Sequence, residues 1–271
     1  MLIAALLLLA VLVILFLVAP TAPTPAQKRP FENRNFAHRG LHTPDKAVPE
    51  NSMQAFRAAV GAGYGIELDI QLSADGQVVV FHDDTLDRVC GVHGRVDAYT
   101  LQQLQTFSLC GSDQRIPLFT DVLREVHGKV PLIVELKTGP RRTELCEKAW
   151  AILLQYTGAY CIESFDPRIV AWWRFHARQV LRGQLASTYR DLRQYQNAAV
   201  SFAVSRCLIN CVSRPHFIAY HKRRTSWCAG LAMALGAMPV VWTVHPEDDI
   251  PALQAANKAV IFEYYHPHIR Y

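Results

Sequence analysis

The sequence predicts an α/β fold: a (β/α)8 TIM barrel of eight parallel strands. Two observations carry this expectation. From Asn35 onward, short apolar runs alternate with amphipathic stretches of helical period, and eight of those runs fit core strands. The part that follows the apolar N-terminal segment holds roughly 240 residues, the size of one such barrel.

The elements follow in order. Asn35–Ala37 is a short strand. Pro49-Glu-Asn-Ser starts a helix over 52–61, where Met53, Phe56, Ala59 and Val60 recur at helical spacing. Residues 66–72 alternate as a strand, Asp75-Gly76 is a turn, and 78–81 is an extra strand behind it. Residues 85–115 are polar and glycine-containing, a small insertion outside the regular alternation. Strands are then expected at 131–136, 159–164, 180–185, 217–220, 240–244 and 260–264. Helices are expected at 119–127, 144–156, 168–177, 227–236 and 248–257, with one or two more in 191–212. The barrel domain is assigned to 33–271, with its last helix short or missing.

Residues 2–19 are apolar and uncharged, and 18 residues of helix reach about 27 Å, near the lower limit for crossing a bilayer. Residues 1–19 are therefore read as a transmembrane helix or uncleaved signal anchor. Lys28, Arg29 and Arg34 all follow this segment, which places the barrel on the cytoplasmic side; secretion, with cleavage near Ala22 or Ala26, is the alternative. Residues 20–32 contain Pro20, Pro23, Pro25 and Pro30 and are expected as an extended, non-helical linker. The net charge of +5 is mild and its cations are scattered, with close pairs at 141–142 and 222–224, which argues against nucleic acid as a partner. Seven cysteines form no CxxC pair and read as small core residues, a Cys90–Cys110 bridge being the alternative.

Charged residues stand where barrel strands should bury apolar ones. Glu67 and Asp69 are two apart on one strand and face the same way. Two buried like charges repel unless a cation joins them. Glu135 ends another strand, and Lys137 points to the same place. His38-Arg39-Gly40 and His82-Asp83 each follow a strand, at the end where barrels build their sites. Three carboxylates without a thiolate or histidine cluster favour a hard divalent cation, Mg²⁺ or Ca²⁺, over zinc.

The motifs FAHRG (36–40), PENS (49–52), GIELDIQLSADGQVVVFHDDTLDR (65–88), IPLF (116–119), LIVELK (132–137), ESFDP (163–167) and VVWTV (240–244) occur together and in this order. In this the chain resembles the glycerophosphodiester phosphodiesterase family. The resemblance implies a barrel, one divalent cation, and hydrolysis of glycerophosphodiesters to sn-glycerol 3-phosphate and an alcohol. The family's nucleophile is thought to be the glycerol 2-hydroxyl of the substrate itself. Carried over by position, His38 and His82 are the acid/base pair, and Glu67, Asp69 and Glu135 hold the metal. Arg39 and Lys137 contact the phosphate, Trp242 lines the glycerol pocket, and Glu50 and Asn51 support the site. The chain departs from the family at Glu263, where Asp is usual, and at His245, where Asn is usual.

Plainer readings stand beside these. Glu50 and Ser52 can simply start a helix, Lys137 can simply pair with Glu135, and Trp242 can be core packing. His42, His93, His127, His176, His221, His266 and His268 have no partner legible in the sequence and are expected at the surface. Two other functions compete: a phospholipase acting on lysophospholipids or phospholipids at a membrane, and a catalytically silent barrel scaffold. The scaffold should have lost one of His38, His82, Glu67, Asp69 or Glu135, and all five are present.

Overall fold

The computed structural model describes residues 1–194, 197–222 and 226–271. The chain opens with helices α1 (Leu2–Val18) and α2 (Pro25–Lys28), then β1 (Arg34–Ala37), α3 (Met53–Ala62), β2 (Gly65–Leu72) and β3 (Val78–Val80). Short helices α4 (Asp87–Cys90) and α5 (Leu101–Leu104) flank a 3-10 turn, Val96–Ala98. Regular alternation resumes with α6 (Phe119–Val126), β4 (Leu132–Leu136), α7 (Arg142–Leu153), β5 (Tyr160–Ser164), α8 (Pro167–His176) and β6 (Leu181–Ala186). Then come α9 (Tyr189–Leu192), α10 (Ala198–Ser205), α11 (Asn210–Ser213), β7 (Phe217–His221), α12 (Trp227–Ala234), β8 (Met238–Val244), α13 (Ile250–Ala256) and β9 (Ala259–Phe262).

The sheet order β1-β9-β8-β7-β6-β5-β4-β2 closes through a β1–β2 pairing, so eight parallel strands form a barrel. β3 runs antiparallel on β2, as the extra strand expected at 78–81. The barrel interior is filled by Phe36, Ile133, Cys161, Leu181, Phe217, Val240 and Ile261 among others. A second apolar layer lies between the outer strand faces and helices α3, α6, α7 and α8, with Phe56, Phe119, Leu145 and Trp173 at its centre. The insertion has a small core of its own, in which Phe81, Leu86, Val96, Leu104 and Ile116 pack together. Residues 263–271 carry no helix.

The N-terminal segment corrects the sequence reading. α1 has 17 residues, about 25 Å of helix against a hydrocarbon core of about 30 Å. Among the described residues no helix is long and apolar enough to cross a membrane. The last turn of α1 belongs to the barrel: Val18 is fully buried, Asn210 Nδ2 donates to Val18 O (2.9 Å), and Arg214 donates to Phe16 O and Ala19 O. These contacts lie just before β7, at the N-terminal ends of the strands. The proline-rich segment is not wholly extended either. Pro25 occupies the first turn of α2, where its missing N–H costs nothing, and Thr24 and Gln27 form a capping box around it. The 191–212 region holds α10 and α11 beyond the end of α9, and 195–196 lie outside the described residues, as do Arg223 and Arg224. All seven cysteines are free thiols, so the Cys90–Cys110 bridge is not formed.

Candidate active site

The C-terminal ends of β1, β2, β4, β5 and β9, with the turn after β3, converge on one acidic site. Two turns build its rim. Arg39 and Gly40 adopt positive φ, and a Cβ on Gly40 would sit 2.8 Å from Ala55 Cβ and 3.0 Å from the Ala55 backbone, so this turn requires glycine against α3. Asn51, also at positive φ, donates its N–H to Arg39 O (2.8 Å), which locks the two turns together. Asn51 Nδ2 then donates to Asp69 Oδ2 (2.9 Å).

Glu67, Asp69 and Glu135 lie on β2 and β4, with Asp69 directly opposite Glu135 in the parallel register. They offer oxygens within 4.8 Å of one another and are buried. Lys137 Nζ lies 2.9 Å from Glu135 Oε1 and 3.4 Å from Asp69 Oδ1, and Arg39 Nε is 3.6 Å from Asp69 Oδ2. The Arg39 N–H donates to Glu67 Oε2 (3.0 Å). Burial, then the charges of Asp69 and Glu163, hold the Glu67 carboxyl well above its ordinary value. Burial pushes Glu135 up to about 7 against the pull of Lys137, with Asp69 adding to the rise. Burial also opposes ionisation of Asp69, but Lys137, His82 and Arg39 outweigh it and hold Asp69 below the usual carboxylate range.

A fourth carboxylate, Glu163 on β5, was not singled out in the sequence although it stands in the ESFDP motif. It pairs with Glu135 in register, is 1% exposed, and leaves Oε2 without a hydrogen-bond partner. Four buried carboxylates thus face two cations, Arg39 and Lys137. The surplus of carboxyl groups over cations, the oxygen-only donor set and the orphaned Glu163 oxygen all fit a hard divalent cation.

Each candidate histidine is held by a carboxylate at Nδ1. His38 Nδ1 lies 2.6 Å from Glu263 Oε1, and His82 Nδ1 lies 2.5 Å from Asp83 Oδ1. His38 Nε2 faces the acidic cluster, 3.8 Å from Glu67 Oε2. Burial, then the Arg39 charge, lowers the His38 pKa; burial and Lys137 bring His82 down to about 4. Arg88 ties the rim together. It donates twice to Glu50 (2.7 Å each) and twice to Asp83 (2.6 and 3.0 Å), while Glu50 also accepts from Arg39 (2.7 Å). Glu50 is therefore more than a helix start: burial disfavours its charge, yet Arg88 and Arg39 bring it down to about 2.

Trp242 sits on β8, where its ring packs on Phe165 and His221 and its Nε1 donates to Ala219 O (2.9 Å); these contacts are core packing. His42, expected at the surface, is buried and contacts Glu263 through Nε2 (3.2 Å). His93, His127, His176, His266 and His268 are exposed as expected, whereas His221 is half-buried against Trp242. Arg88 is legible only as part of FHDDTLDR, since nothing in the spacing of the motif says that it folds back on Glu50.

A closed barrel with carboxylates, two anchored histidines and two cations at its strand C-termini defines an acid-lined (β/α)8 site protein. Residues 38–264 match the Glycerophosphoryl diester phosphodiesterase family, and the chain belongs to it. A glycerophosphodiester phosphodiesterase of Caldanaerobacter subterraneus is 39% identical over 112 residues, covering 38% of this chain and 45% of that one. A lysophospholipase D of Rattus norvegicus is 32% identical over 144 residues, covering 48% and 44%. The matched stretches thus span about half the length of these curated relatives. An Oleispira antarctica phosphodiesterase, solved in complex with the product sn-glycerol-3-phosphate, has a similar fold: TM-score 0.69 at 20% identity, over 86% of this chain and 94% of that one.

Proposed function

We propose that this chain is a divalent-cation-dependent hydrolase of glycerophosphodiesters, releasing sn-glycerol 3-phosphate and an alcohol, with His38 and His82 as the acid/base pair. The observation that carries the reading is the pair of histidines. Each gives Nδ1 to a carboxylate and keeps Nε2 for the reaction, beside a buried carboxylate triad. Glu67, Asp69 and Glu135 would hold the cation, Mg²⁺ or Ca²⁺, which when bound supplies charge neutralisation at the phosphoryl oxygens. Arg39 and Lys137 take a share of the same negative charge. Their carboxylate partners fix them in place before the substrate arrives. One imidazole accepts the proton of the attacking glycerol 2-hydroxyl while the other donates to the departing alkoxide; water then opens the cyclic phosphate with the two roles exchanged, a task suited to groups titrating near or below neutrality. Glu50 and Asn51 support Arg39 and Asp69 through the bonds given above.

The test is a panel of glycerophosphocholine, glycerophosphoethanolamine, glycerophosphoglycerol and lysophosphatidylcholine, each with Mg²⁺ and with Ca²⁺. Release of sn-glycerol 3-phosphate that His38→Ala and His82→Ala abolish supports the reading. Turnover of the histidine variants at the native rate overturns it. The similarity to a lysophospholipase D favours lysophospholipid as a second substrate class. The docking of α1 argues the other way, because the helix leaves from the N-terminal ends of the strands and the acidic site opens at the C-terminal ends.

The location of the chain is proposed as well. α1 exposes Leu2, Leu6, Leu9, Leu12 and Phe16, which supports attachment to a lipid surface. Co-flotation with lipid vesicles that is lost on deletion of residues 2–16 supports the attachment, and flotation unchanged by the deletion overturns it.

A further inference from the structure

We propose that Glu263 is a positioning residue that fixes His38 in the tautomer with Nδ1 protonated and Nε2 free, and that His42 and His245 clamp Glu263 for this task. The inference rests on the reading of His38 as an acid/base residue. Glu263 follows β9, and its carboxylate is reached from three directions. His38 Nδ1 and His42 Nε2 share Oε1 at 2.6 and 3.2 Å, and His245 Nε2 meets Oε2 at 3.1 Å. The backbone sets these places. The His38 N–H donates to Phe262 O (3.0 Å), and the Glu263 N–H donates to Val244 O (2.9 Å), so adjacent strands β1, β9 and β8 deliver the three residues side by side. Tyr264 backs the clamp, with His245 stacked on its ring and His42 meeting it edge-on.

The tautomers follow from donor and acceptor counts. Lys222 Nζ lies 3.0 Å from His245 Nδ1, and an ammonium only donates. His245 Nδ1 therefore accepts, and its proton is on Nε2, aimed at Glu263. An ionised carboxylate only accepts, so His38 must present Nδ1–H and His42 must present Nε2–H. His38 Nε2 is left with its lone pair toward the acidic cluster. A glutamine at 263 has one accepting oxygen and one donating amide for three donating rings. Turned one way its amide faces both His38 and His42, and turned the other way it faces His245, so in neither orientation are all three rings accepted. Aspartate keeps the chemistry and shortens the reach by one methylene.

The test uses the full chain with Glu263→Gln, Glu263→Asp and His38→Ala side by side. Its readouts are kcat and KM on glycerophosphocholine, Mg²⁺ affinity by calorimetry, and the ring chemical shifts of His38, which report its tautomer. Glu263→Gln is expected to lower kcat by roughly 10²–10⁴-fold while KM and Mg²⁺ affinity stay within about threefold, with the Nδ1–H tautomer depleted. Glu263→Asp should recover at least about tenfold of the lost kcat with the tautomer retained. A native kcat in Glu263→Gln beside a silent His38→Ala overturns the inference and leaves the functional reading standing. A loss that falls on KM or Mg²⁺ affinity instead of kcat also overturns it. A native kcat in His38→Ala overturns the functional reading itself. If Glu263→Gln does not fold, Glu263→Asp decides alone: a kcat as low as that of His38→Ala, with the tautomer unchanged, overturns the inference.

Discussion

Glu163 stands directly beside Glu135 across β5 and β4, buried and with Oε2 unpaired. Burial and the charges of Glu135 and Asp69 hold its carboxyl well above the ordinary range. A cation bound in the triad would draw this neighbouring carboxyl into its ionised form, and the charge it then carries would help to hold the cation. Glu163→Gln, which removes that charge at constant shape, should weaken Mg²⁺ or Ca²⁺ binding by about 10–100-fold in calorimetric titration. An affinity equal to that of the native chain would remove Glu163 from the metal site.

Arg88 joins two residues far apart in the sequence, Glu50 and Asp83, and through them both rims of the site. Its side chain is 47% exposed, so its ion pairs contribute little to stability. Its effect on geometry is larger, because Asp83 holds His82 and Glu50 holds Arg39. Arg88→Ala should therefore reduce turnover by up to about 10²-fold while changing unfolding stability by no more than about 1 kcal/mol. Parallel activity and urea-unfolding measurements separate the two effects. A loss of stability without a loss of rate would make Arg88 a purely structural tie.

The barrel was legible in the sequence because eight apolar runs separated by helical stretches leave few other closed arrangements. The carboxylate triad was legible because Glu67 and Asp69 violate the burial rule in the middle of a strand. Glu163 violates the same rule less visibly, since its motif also supplies Asp166, the cap of α8, and reads as a strand-to-helix turn. His42 and Glu263 lie 221 residues apart, and no local pattern announces a contact that depends on barrel closure. The apolar content of α1 was plain, but its end is captured by Asn210 and Arg214, residues whose reach is set by tertiary structure alone.

Gly183, in the middle of β6, faces the barrel interior. A Cβ there would lie 2.0 Å from the Phe217 ring on the neighbouring strand. Phe217 is buried among the interior side chains, so its ring can yield only by displacing its neighbours. Gly183→Ala should destabilise the fold by about 1–3 kcal/mol, measured by urea unfolding, the usual cost of overpacking a filled core. Adding Phe217→Leu to Gly183→Ala should restore part of the loss. No recovery in the double variant would place the strain elsewhere than at this contact.

His216, just before β7, is buried beside Arg182 and far from the acidic site in the barrel wall. Its Nδ1 accepts the Arg182 backbone N–H (3.2 Å), which requires the lone pair and therefore the neutral ring. Burial, then the Arg182 charge, brings its pKa down to about 3 from an ordinary value near 6.5. Between those two values the unfolded chain binds a proton that the folded chain does not, so stability falls as the pH is lowered. The contribution is fully present above about pH 6.5, declines by up to about 1.4 kcal/mol per pH unit, and levels off near pH 3. His216→Asn places a non-titrating acceptor at the same distance along the side chain. Urea unfolding of both chains at pH 7.5, 6, 5 and 4 isolates this one group, because the shifted carboxylates are common to both. The variant should gain stability relative to the native chain at each step downward from pH 6.5. Parallel curves across this range would show that His216 is protonated in the folded state and that its bond to Arg182 is not what keeps the ring neutral.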